Sequence, residues 1–203
     1  MQDTHMETLQ KYFEDKLGKS SHTTGKNLLL FTAAAHSIRS VLEADRKDIL
    51  AGSTIELLGL EEYRKVKRIY AGLEHPVTFH GVIDRIDSKD GILRILDYKT
   101  GQTKIKELHL SEISDCLSNS VYAKSFQLLF YSMLWLEDDP NSPFYAGVIS
   151  LKNMFSGTMF LGLGTGRTKR TELVTEDLEN FEKELEKLVI EIYTPDIAFK
   201  EVI

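Results

Sequence analysis

Asp90-Gly91 separates two runs of alternating apolar and polar residues, VIDRIDSK (82–89) and ILRILDYK (92–99). Asp-Gly is a strong signal for a two-residue hairpin turn, because both central positions need a positive φ. With these residues as the turn, Lys89 faces Ile92, Asp87 faces Arg94 and Asp84 faces Asp97. Side chains alternate along a strand, so Lys99 shares the face of Asp97. Opposed side chains hold their Cβ atoms about 4.5–5.5 Å apart, where like charges are destabilising. Two carboxylates placed together among Val82, Ile86, Leu93 and Ile95 either share a proton or hold a cation. A hard divalent ion binds through one or two carboxylates and keeps several waters, and the Lys99 ammonium would lie beside them. This is the equipment of metal-assisted phosphodiester hydrolysis: a polarised phosphoryl oxygen, an acidified water and a cation to orient it. The bland alternative is an exposed hairpin with an incidental Asp pair and a surface lysine. It explains neither the opposition of like charges nor their apolar neighbours.

The elements that must position these groups follow from periodicity. Residues 3–17 and 26–50 read as helices; in the second, Phe31, Ala34, Ala35, Ile38, Val41 and Leu42 recur at helical steps. Residues 54–70, 77–87 and 91–99 are rich in β-branched and aromatic residues and break at Gly72, Pro76 and Gly91, predicting three consecutive strands. Residues 104–118 read as a loop with a short helix. Residues 124–137 form an apolar helix closed by Asp138-Asp139-Pro140. Strands are predicted over 144–152 and 158–163, and a last helix over 175–193 is capped by Thr175. With no repeat and no linker, one mixed α/β domain over 1–203 is expected.

The chain has 203 residues, 42% of them hydrophobic, and a formal charge of −6. That is enough for a core without staples. The single Cys116 excludes an internal disulfide or a several-thiolate metal site. No apolar run reaches the roughly 20 residues of a membrane span, and the N-terminus lacks a signal core, so a domain in a reducing, cytoplasmic compartment is expected. Residues 172–191 hold eight acids against two lysines, which accounts for the whole net charge. The basic runs Arg64, Lys65, Lys67, Arg68 and Arg167, Lys169, Arg170 are thus free to face phosphates, or are simply solvated surface. Gln127 and Tyr131 share one helix face at i, i+4 within an apolar stretch, where a Gln must find a hydrogen-bond partner or water.

GVIDRID (81–87) followed by ILDYKTG (95–101), with Gln127 and Tyr131 in FQLLFYSMLW, resembles the signature of the PD-(D/E)XK nucleases, specifically the RecB/AddB-like nuclease domain. The resemblance implies a restriction-endonuclease-like α/β/α core with a mixed sheet built on an antiparallel meander. It implies a Mg²⁺- or Mn²⁺-dependent deoxyribonuclease, an exonuclease in preference to an endonuclease, acting in bacterial-type recombination and repair with a helicase domain or subunit. Asp84 and Asp97 match the family's metal-binding acids, with the Tyr98 carbonyl as a further ligand; Lys99 matches its lysine, and Gln127 and Tyr131 its helix motif. His36 is a candidate further ligand, although helical phase turns it away from the apolar stripe; Glu61 is the alternative. Where relatives run on into a cysteine-rich tail, this chain stops at IYTPDIAFKEVI, so no iron–sulfur cluster is expected here. No phosphate-cradling motor loop is present. Two other readings remain: a nuclease-like domain that binds DNA or a partner without cutting, and an interaction module docking through its acidic C-terminal helix.

Overall fold

The computed structural model describes residues 4–137, 143–153 and 157–194. Within it the chain divides into two compact units, Met1–Gly52 and Ser53–Ile203. The first unit is helical, with α1 (Thr4–Leu17) and α2 (Gly25–Leu50) as predicted. Leu9 is its buried anchor, and Phe13 packs edge-on against Phe31 at 5.3 Å.

The second unit is built on a five-stranded sheet of order β1-β2-β3-β5-β6, comprising β1 (Ile55–Arg68), β2 (Val77–Lys89), β3 (Ile92–Lys99), β5 (Phe144–Ser150) and β6 (Thr158–Phe160). The β1–β2–β3 meander is antiparallel, β5 lies parallel to β3, and β6 is antiparallel to β5. The predicted turn forms with φ of 54° at Asp90 and 82° at Gly91. Its register is the one expected, from Lys89↔Ile92 through Asp87↔Arg94 to Arg85↔Leu96. The Asp90 carboxylate also accepts the Thr54 N–H at 2.8 Å, tying the turn to the start of β1.

The crossover from β3 to β5 carries a two-residue strand β4 (His109–Leu110), a short helix α3 (Asp115–Ser118) and the long helix α4 (Ala123–Trp135). Helix α4 packs on β1, β2, β3 and β5; Leu128, Leu129, Met133 and Leu134 enter the same core as Ile83, Ile86, Ile95 and Val148. Cys116 lies in this core, where burial pushes its thiol up to about 12. The strand predicted over 158–163 splits: β6 joins the main sheet, and β7 (Gly162–Leu163) pairs with β4 in a second, two-stranded sheet. Helix α5 (Thr175–Tyr193) packs on α4 through Phe181, which meets Phe126 edge-on. Its cap differs from expectation. Thr175 is the first helical residue, and the Asp177 carboxylate takes the Val174 N–H at 2.8 Å. The Asp138-Asp139-Pro140 terminator lies outside the described residues. This is the restriction-endonuclease-like arrangement expected, a mixed sheet with α4 seated on the functional face. Among the described residues no helix is long and apolar enough to cross a membrane.

Candidate active site

Alternation along β3 sends Arg94, Leu96 and Tyr98 to one face and Ile95, Asp97 and Lys99 to the other, toward α4. On that face the Lys99 ammonium donates to Asp97 Oδ1 at 3.0 Å and to Gln127 Oε1 at 2.7 Å. Gln127 Nε2 then donates to the Tyr131 hydroxyl at 2.8 Å. Four residues from two elements thus form one continuous hydrogen-bonded chain. Asp97 is only 2% exposed. Burial raises its pKa above the ordinary carboxylate range, against the opposing pull of Lys99, and nearby Asp84 raises it further. Its Oδ2 lies 2.8 Å from Lys99 Nζ as an ion pair, yet at an angle that leaves it without a hydrogen bond.

Asp84 sits where β2 leaves β3. The ladder ends at Arg85↔Leu96, and the Asp84 carboxylate accepts the Tyr98 N–H at 2.8 Å. The cause is a change of face in both strands. Ile83 and Ile86, three residues apart, are both fully buried in the same core. In β1, a Cβ at Gly59 would stand 3.5 Å from that of Glu62. Glu61 and Asp84 stand between the Leu60↔Arg85 and Glu62↔Ile83 pairs, while the ladder itself slips by one residue between Leu57 and Gly59. Glu61 takes a φ of 48°, rare for any side chain but glycine, and such strain gathers at functional sites. Glu61 itself is exposed.

The remaining expected site residues are placed as follows. His36 is exposed on α2, in the first unit. The Arg64 guanidinium lies 4.3 Å over the Trp135 ring and 3.5 Å from Glu62. Arg68 is held by Glu137, at 2.8 and 2.5 Å, and by Glu182, at 2.7 Å; the Glu137 bonds push its pKa further up. Arg170 makes a two-bonded pair with Asp177 at 2.8 and 2.6 Å. Arg68 and Arg170 are thus each held by carboxylates within the fold. Lys65, Lys67, Arg167 and Lys169 are exposed.

Sequence reading missed two members of the neighbourhood. Lys124, one turn before Gln127, pairs with Glu107 and is one of the charges that lower the Asp97 pKa. Its i, i+3 spacing from Gln127 was the available signal. Gly81 is the other. A Cβ there would meet Tyr131 Cε1 at 3.1 Å and Leu134 Cδ1 at 3.2 Å, so any side chain would press on α4 where it approaches β2. Gly81→Val is therefore expected to cost about 1–3 kcal/mol in a urea melt. By displacing Tyr131 it should also lower DNA cleavage by up to about 10²-fold; unchanged cleavage by a destabilised variant would show that Tyr131 need not be fixed.

Among the described residues no three His, Cys, Asp or Glu side chains converge on one point. The donor set is two acids, one buried with an unbonded oxygen, which suits a hard divalent ion that keeps several waters.

The family model of the PD-(D/E)XK nuclease superfamily matches residues 3–202, and the chain belongs to that superfamily. It is thus a nuclease-type domain, whose substrate class is DNA and whose relatives generally use divalent metals. No curated protein and no solved structure matches it.

Proposed function

We propose that the chain is a Mg²⁺- or Mn²⁺-dependent deoxyribonuclease of the RecB/AddB-like kind, working as an exonuclease beside a helicase domain or subunit in cytoplasmic recombination and repair. Both compact units fall within the family match, and we take them as one nuclease domain. The observation that carries the reading is the Lys99 ammonium held between Asp97 and Gln127. Asp84 and Asp97 would hold the ion, with the Tyr98 carbonyl as a further ligand. The ion, when bound, supplies phosphoryl polarisation and an acidified water. Beyond the hydrogens given to Asp97 and Gln127, Lys99 keeps one to donate to the attacking water or to the charge that develops on the phosphoryl oxygens. Gln127 fixes the ammonium, and Tyr131 fixes Gln127. Lys65, Lys67, Arg167 and Lys169, with Arg64 beside Trp135, are the cations left to meet phosphates.

The test is thermal denaturation with and without metal. A ligand that binds only the native state stabilises by about 2.7 kcal/mol at a hundred times its Kd, roughly 5–10 °C for a chain of this size. Mn²⁺ or Mg²⁺ should produce this rise, and Asp84→Asn should remove it. An equal rise in the variant would take the metal site away from Asp84.

A further inference from the structure

We propose that the outward face of the β1–β2 ribbon is a single-stranded DNA platform, on which bases stack against Tyr63 and His80 while Lys65 and Lys67 hold the backbone. The inference deepens the nuclease reading and rests on it for the substrate class. Strand β2 pairs with β3 only over Arg85–Lys89, so Val77–Ile83 and Glu62–Arg68 form a two-stranded ribbon at the sheet edge. One face of it lies on α4 and α5: Phe79 meets Phe130 at 5.8 Å, Arg64 covers Trp135, and Arg68 binds Glu137 and Glu182.

Alternation turns Tyr63, Lys65, Lys67, Thr78, His80 and Val82 the other way, and all six are exposed. Tyr63 is 56% and Val82 41% exposed, and the two pair across the ribbon. The Tyr63 and His80 rings lie side by side, with centroids 6.0 Å apart and planes tilted by 35°. The Lys65↔His80 and Lys67↔Thr78 pairs set two ammonium groups beside the rings. Between Tyr63 and Lys67 and between Thr78 and Val82 these outward positions hold no carboxylate, in a chain of net charge −6.

Aromatic faces interleaved with cations are how single strands are bound without regard to sequence. A duplex keeps its base faces inside the stack and offers only backbone and groove edges, so the rings favour unpaired DNA. At about 3.3 Å per residue, His80 stands roughly 13 Å along β2 from Asp84.

The test is fluorescence anisotropy of the full chain with a labelled oligodeoxythymidylate of about 15 nucleotides, in EDTA, against a duplex of equal length. Tyr63→Ala should weaken single-strand binding about 5- to 150-fold, the worth of one base–aromatic stack. Tyr63→Phe should bind like wild type, and duplex binding should not change. Lys65→Ala should lower the slope of log affinity against log salt by about 0.7. Unchanged single-strand binding by Tyr63→Ala, or an equal loss on the duplex, would overturn the platform. Cleavage by wild type with Mn²⁺, measured alongside, separates the two readings. If wild type cuts while Tyr63→Ala binds normally, only the platform fails; if wild type never cuts while Tyr63→Ala loses binding, only the nuclease reading fails.

Discussion

Replacing Lys99 by Ala should lower DNA cleavage by about 10²–10³-fold with little change in DNA affinity. That is the usual cost of removing one preorganised donor from a developing charge. Asp97→Ala should lose at least as much, because it removes a proposed metal ligand and leaves Lys99 tied only to Gln127. Lys99→Arg should not rescue, since a planar guanidinium cannot take the place of a compact ammonium between a carboxylate and an amide 2.7–3.0 Å away. The measurement is single-turnover cleavage in Mg²⁺ and Mn²⁺, with binding measured separately. Equal rates in wild type, Asp97→Ala and Lys99→Ala would remove the proposed chemistry from this hairpin. A wild type that binds DNA but cuts it in neither metal would leave a nuclease fold used only for binding.

The second large effect lies on the opposite face of the same strands. Asp87, fully buried, accepts from Arg94 Nε at 2.6 Å and Nη2 at 2.9 Å, and from Arg85 Nε at 2.6 Å. Arg85 and Arg94 are themselves 5% and 7% exposed, and Arg85 reaches the Tyr98 hydroxyl at 3.4 Å. Removing one partner of a buried ionic group strands the others without compensation. Asp87→Ala should therefore cost about 3–5 kcal/mol, a fall in Tm of roughly 6–20 °C. Replacing all three together by Met or Leu should recover most of the loss, because well-packed apolar side chains of similar volume often equal such a group. A triple variant no more stable than Asp87→Ala would mean that the charges themselves hold the meander together.

Both effects arise from a hairpin that is legible in the sequence alone. A two-residue turn leaves one register, and a period of two then decides which acids, cations and apolar groups share a face. Lys99 beside Asp97 and Asp87 opposite Arg94 follow from that alone, as Gln127 over Tyr131 follows from helical spacing. The rest depended on contacts between distant parts of the chain. Arg68 is 69 residues from Glu137 and 114 from Glu182, and no local pattern announces that acids will claim it before phosphate can. The backbone twist at Glu61 has no signature either, because a glutamate with positive φ looks in sequence like any other strand residue. Both strands change face at this level, and so Asp84 meets the Tyr98 amide where continued alternation would have set it squarely against Asp97. Division of 158–163 between two sheets was hidden for a similar reason. The partner of Gly162 is His109, more than fifty positions earlier, and a Cβ on that glycine would fall 2.5 Å from its ring.

The carboxamide of Gln127 has a direction that chemistry dictates. An ammonium can only give hydrogens, so the oxygen must turn to Lys99 and the nitrogen to Tyr131. Tyr131 therefore spends a lone pair inward and keeps its own hydrogen to give. The polarity of the whole relay runs one way, and its far end is left as an acid-like tip able to greet an oxygen-rich visitor such as a DNA backbone.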